Sequence, residues 1–208
     1  MRKTLLVLGC LLSTLVTSEL AGEGGSAAIL GSELGKPVGE PVLWPAPVKV
    51  DIPATQATHT MNISSPAFES NGMIPVIYTC DGQSTPPALK FGNVPAKSKS
   101  LALIVDDPDA PMGTWVHWLI WNISPDCTGI DPKHLPVGSV QGSNSSHNRS
   151  YDGPCPPSGY HHYHFKLYAL DTKLKLDGEK TSASLLEAAL KGHILAKAEL
   201  VGVYAKKH

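Results

Sequence analysis

A mainly β domain is predicted by three observations. From His59 onward, short apolar runs ("MNISS", "PVIYTCDG", "SLALIVDDPDAP", "WVHWLIWNIS", "YHFKLYALD", "AELVGVYAK") alternate with clusters of turn-forming residues. Several of the runs are rich in the β-branched and aromatic residues that suit a pleated surface. Only "TSASLLEAALKGH" carries a strong helical pattern. About 150 residues in one mostly antiparallel β domain bury roughly two thirds of the unfolded surface, so no metal or disulfide is required for stability.

The chain begins differently. Arg2 and Lys3 precede "TLLVLGCLLSTLV", too short for a comfortable membrane span but suited to the core of a signal peptide. Small residues at Val16 to Ser18 and at Ala21 to Gly22 offer cleavage sites, so residues 1–21 read as a signal peptide and the protein as exported, periplasmic or secreted. Lipoprotein processing at Cys10 would leave a cramped apolar segment of six residues after Lys3. Residues 22–58 carry Gly and Pro throughout without a period of 2 or 3.6, which suits a tether or extended arm dispensable for folding. The domain is expected over 59–208, with no transmembrane span once the signal is removed.

Within the domain, "SLALIV" is a continuous apolar run, the pattern of a strand buried on both faces. Pro108 and Pro111 stop it, which leaves Asp107 and Asp109 at a strand end. In "TWVHWLIWN", alternation places His117 with Leu119 and Trp121, opposite Val116, Trp118 and Ile120. A rigid Pro/Gly loop then runs into "YHHYHFKLYALD", where His161, Tyr163 and Phe165 share one face and His162, His164 and Lys166 the other. Ser184 and Glu187 are spaced as a capping box for the helix, and Gly192 is placed to end it. "ELVGVYA" returns the C-terminus to the sheet.

A formal net charge of −1 supplies no broad basic field, which argues against nucleic acid and requires any charged ligand to be held locally. Once a signal peptide is removed, Cys80, Cys127 and Cys155 make an odd count in a compartment that permits a disulfide. Asn62, Asn122, Asn144 and Asn148 each begin an Asn-x-Ser tripeptide, from which no modification is inferred; Asn122, closing an apolar strand, is the poorest acceptor. A buried imidazole at His117 needs a partner for its ring N–H, and a strand-end carboxylate would serve. Taken singly, Asx turns at the two acids and a satisfied core histidine would explain these residues. The second cluster at His161 and Tyr163 favours a shared cavity.

"YTCDG", "SLALIVDDPDAP", "VHW", "GPCPP", "YALD" and "LLEAALKGHILAKAELVGVY" together resemble the phosphatidylethanolamine-binding protein family, in its bacterial-type branch, also described as Raf-kinase-inhibitor-like. The resemblance runs from about Met61 to Tyr204. It implies an antiparallel β-sandwich with one or two peripheral helices and a small anion pocket at one end. Matched motif by motif, that pocket is built from Asp107, Asp109, His117, Pro156, His161 and Tyr163. The resemblance also places the loops of Cys80 and Cys155 near the pocket end, close enough to bridge. "SVQGSNSSHNRSYD" before the "GPCPP" loop is more polar than the family pattern, and His162 and His164 are additions to it.

The physical roles agree. His117, His161, Tyr163 and turn N–H groups can donate to phosphate oxygens, whereas an ionised aspartate only accepts and repels a dianion. The pocket therefore suits a phosphate ester or phospholipid head group that brings its own ammonium or hydroxyl, or a monoprotonated phosphate. Neither cofactor nor metal is implied. No His-Glu-x-x-His, Gly-x-Ser-x-Gly or P-loop occurs, and adjacent His161 and His162 diverge on a strand, so nothing marks an enzyme. A weak hydrolase using the His/Asp pocket is one alternative. Another is a regulator that inhibits a protease or kinase, proteases being the more accessible targets for an exported chain. Self-association into a homodimer is compatible with the sequence.

Overall fold

The computed structural model describes residues 60–206. The expected signal peptide and Pro/Gly arm lie outside the described residues. In chain order the elements are β1 (Asn62–Ser64), β2 (Gly72–Met73), a 3-10 turn (Val76–Tyr78), β3 (Leu89–Gly92), β4 (Ser100–Asp107), β5 (Trp115–Ile123), β6 (Gly129–Ile130), β7 (Val140–Gln141), β8 (Tyr160–Leu170), α1 (Ala183–Leu190) and β9 (Ile194–Ala205). A small sheet orders its strands β1-β3-β6, and a large one β2-β9-β8-β4-β5-β7. All pairings are antiparallel except β2 with β9. The mainly β reading and the sandwich are thus what the chain forms.

β4 lies between β8 and β5, and every one of its residues is buried, as its unbroken apolar run requires. Leu101, Leu103 and Val105 face one core with Phe165 and Leu167 of β8, Leu89 and Phe91 of β3, and Ile63 of β1. Ala102 and Ile104 face a second core, where Leu119 and Trp121 are closed over by Leu186 and Leu190 of α1 and by Leu174. Fully burying each of those leucines is worth about 1.5–3 kcal/mol, which accounts for so short a helix being stable here.

Four local readings are corrected. The capping box does not form: Ser182 is the N-cap, without a side-chain cap bond, and Ser184 lies inside the first turn, 3.0 Å from the Ser182 hydroxyl. Gly192 does end the helix, at φ +82°. The apolar run "PVIYTCDG" forms the 3-10 turn and further turns rather than a strand, with Thr79 N–H and Oγ1 both donating to the Val76 carbonyl. The C-terminal strand starts at Ile194, five residues before "ELVGVYA", because β8 offers a full-length partner.

The fourth correction concerns His117. Strict alternation puts it with Leu119 and Trp121, but the β4–β5 register shifts between Val105, paired with Trp118, and Asp106, paired with Val116. The extra residue of this β-bulge is His117, and a bulge re-aims a side chain. Its ring meets Tyr163 edge-on at 5.2 Å between centroids, and Tyr163 belongs to the first core together with Trp118. His117 therefore lies on the same side as Trp118. A second irregularity, near Asn122 at φ +56°, lets that amide clamp Leu174: Nδ2 donates to its carbonyl at 2.9 Å, and Oδ1 accepts its N–H at 2.9 Å.

Candidate functional site

The bulge at His117, the end of β4 and the start of β8 meet at one end of the large sheet. There an open cavity of about 390 Å³ is lined by residues that include Asp107, Trp115, His117, Asp152, Cys155 and His161. Asp107 stands one step beyond the last β4–β8 ladder pair, Asp106 with His164, and shares a face with His161. Its Oδ2 accepts from His161 Nδ1 at 2.6 Å, while Oδ1 accepts the Asp109 N–H at 2.8 Å and closes an Asx turn over Pro108. Both partners of the pair are buried. The neighbouring Asp106 points to the opposite face, where it pairs with Lys166 at 2.7 Å.

His117 is held in another way. Its Nδ1 lies 2.8 Å from the carbonyl oxygen of Asp152, and its own carbonyl accepts the Asp152 N–H at 3.0 Å. A carbonyl only accepts, so Nδ1 carries the proton and Nε2 is left to the cavity. Burial holds the imidazole below the usual histidine range, opposed in part by the Asp152 carbonyl and by the charge of Asp107. His117 is accordingly neutral at pH 7, with Nε2 an acceptor. The pair at His161 leaves its Nε2 in the same position of availability.

The loop before "GPCPP" is polar because it is folded on its own side chains. Asn144, buried, accepts the N–H groups of Ser146 and Asn148 and donates to the Ser150 carbonyl at 3.0 Å. Ser145 bonds both ways with Val116 of β5, through its Oγ and its N–H. This anchoring presents Ser146 and Asp152 to the cavity. Across it, Cys80 and Cys155 are joined, with Cα atoms 5.4 Å apart. Cys127 lies apart, its thiol 2.9 Å from the Gly129 carbonyl.

Of the six residues matched by motif, Asp107, His117 and His161 line the cavity. Tyr163 lies beneath them, edge-on to His117 and stacked against His161 at 6.5 Å. Its hydroxyl is buried and completes no hydrogen bond among the described residues. Burial first, and then the charges of Asp107 and Asp109, push its pKa up. Asp109 does not line the cavity. Its Oδ2 accepts both the N–H and the Nδ1 of His162, at 2.8 and 2.7 Å, and these bonds hold its carboxyl below the usual range. Pro156 is buried behind the wall, and Pro157 takes the lining position.

Sequence reasoning missed Asp152, whose carboxylate makes no hydrogen bond among the described residues, and also Trp115, Ser146 and Ser84. The signal for Asp152 was its place just before "GPCPP". No lysine or arginine is among the lining residues, so the cavity carries two carboxylates, two imidazoles and no permanent positive charge.

Comparison with known proteins agrees with the fold. A family model described as phosphatidylethanolamine-binding protein matches residues 64–205. A UPF0098 protein of Methanothermobacter thermautotrophicus is 51% identical over 151 residues, covering 70% of this chain and 99% of that protein. The crystal structure of a phosphatidylethanolamine-binding protein homologue from Chlamydia trachomatis aligns with a TM-score of 0.68 at 40% identity, over 71% of this chain and 99% of that one. YbcL of Escherichia coli, described as a member of the mammalian family of this name, aligns at 0.66 and 33% identity, with the same coverage. With the expected sandwich in place and this extent of similarity, the chain belongs to the phosphatidylethanolamine-binding protein family.

Proposed function

We propose that this chain is an exported binding protein whose cavity holds the head of a small phosphate ester or phospholipid, phosphoethanolamine being the simplest example. The observation that carries the reading is that His117 and His161 each commit Nδ1 to a protein acceptor and line the same cavity. Two Nε2 atoms are thereby left for one ligand. With carboxylates of Asp107 and Asp152 alongside and no lysine or arginine, a bare dianion is opposed, and a head group bringing an ammonium or P–OH is matched. Neutral His117 accepts from a P–OH, or takes up a proton and donates to a phosphate oxygen. The leader-like N-terminus supports export, and the absence of hydrolase motifs supports binding without turnover.

Calorimetric titration of phosphoethanolamine and inorganic phosphate against wild type and His117→Ala tests this. Binding lost in the variant, with the fold retained in thermal melts, is the expected result. Unchanged affinity together with a large loss of stability returns His117 to a purely structural role. Native mass spectrometry of the purified chain shows which small molecule accompanies it.

A further inference from the structure

The Cys80–Cys155 bridge forms part of the cavity wall itself: both residues line the cavity, and both are exposed. An exposed disulfide is open to attack by a thiolate, whereas a staple sealed in a core is not. The two loops it joins are also held without it. Cys80 N–H donates to the Pro154 carbonyl at 3.0 Å, Gly153 N–H to Ser84 Oγ at 2.7 Å, and Tyr151 O–H to the Tyr78 carbonyl at 3.1 Å. Gly153 packs so closely that a Cβ there would lie 2.7 Å from both Ser84 Oγ and the Tyr78 carbonyl. Opening the S–S bond therefore leaves the wall's backbone contacts in place.

From this placement we propose that the cavity is a thiol-exchange site, in which a low-molecular-weight thiol enters and is captured covalently on Cys80 or Cys155. The incoming thiol loses its proton to solvent and its thiolate attacks one sulfur. The S–S bond breaks, and its electron pair leaves on the other sulfur, which takes a proton from solvent. One disulfide replaces another, so no oxidant or reductant is consumed. The site does not depend on the phosphate-ester reading, since it uses only the disulfide and the space beside it.

Reduced glutathione is the probe. The oxidised full chain is incubated with it near neutral pH, quenched with N-ethylmaleimide and mapped by peptide mass spectrometry. The expected product carries glutathione on one of Cys80 and Cys155 and maleimide on the other. It should form at least ten-fold faster than in Ala110→Trp or Ser146→Trp, each of which fills the cavity while keeping the disulfide; a variant enters the comparison once its melt shows it folded, and Ser146 is an exposed loop position. No adduct on these two cysteines in the native chain, when the chain in guanidinium forms one, overturns the proposal. Equal rates in wild type and the filled variants also overturn it, because exchange would then not pass through the cavity.

Discussion

His161 Nδ1 and Asp107 Oδ2 lie 2.6 Å apart, both side chains almost wholly buried, one at the start of β8 and the other at the end of β4. The pair sets which ring nitrogen of His161 faces the cavity, and it ties the Asx turn over Pro108 to the neighbouring strand.

Asp107→Asn keeps the shape but offers one amide oxygen where two carboxylate oxygens accept. One of the two bonds, to His161 or to the Asp109 N–H, is lost, and a cost of about 1–3 kcal/mol is expected in denaturant unfolding. Phosphoethanolamine binding should also fall more than phosphate binding, because only the former brings an ammonium. Asp152→Asn should show the same selectivity with little loss of stability, its carboxylate making no hydrogen bond among the described residues. Equal weakening of both ligands in both variants would contradict the role given to the carboxylates.

His117 makes stability depend on pH with a definite sign. Its folded pKa lies below the 6.5 of the unfolded chain, so the folded state binds fewer protons in that range. The associated stability is present above 6.5 and is lost as pH falls from there through the folded pKa. Melts of wild type and His117→Gln at pH 7.5 and 5.5 should show a smaller acid-induced drop in the variant. A drop of the same size would mean that other groups carry it.

Ligand binding should respond to pH in the opposite sense. Proton uptake by His117 and the monoanionic form of the phosphate, whose second pKa is about 6, both favour the complex as pH falls. Affinity for phosphoethanolamine is therefore expected to rise from pH 8 to 6 in wild type, and a flat or falling affinity would contradict the proton-linked role given to His117. Calorimetry across that interval decides it.

Replacing both Cys80 and Cys155 by Ser releases a cross-link spanning 75 residues. Loss of up to ~4 kcal/mol is expected, since the bridge acts mainly on the unfolded chain. The sheet signal in circular dichroism should persist, because hydrogen bonds hold the same two loops. A variant that no longer folds would show that those bonds are insufficient.

Asn122→Ala should cost roughly 2–4 kcal/mol, from two lost bonds to Leu174 and from an alanine forced to positive φ. Asn122→Gly relieves the second cause only, so an intermediate stability is expected. Equal melting of the two variants would remove backbone strain from the account.

Much was legible along the chain because it is local. The unbroken run of β4 required burial on both faces, the period of two in β8 placed His161 and Tyr163 together with His162 and His164 opposite, and Pro108 set Asp107 at a strand end. Motif resemblance identified the family, the pairing of Cys80 with Cys155, and three residues that line the cavity. Pairing between strands decided the rest. His117 changes face because β4 and β5 slip register by one residue, and a slip belongs to two strands at once, so alternation within either cannot reveal it. Asp109 turns to His162 because β8 arrives beside its loop, and Asp152 joins the site through its backbone, whose carbonyl is the same in every residue. Side-chain chemistry and period are written in the sequence, whereas register and main-chain contacts between distant segments exist only once the sheet has formed.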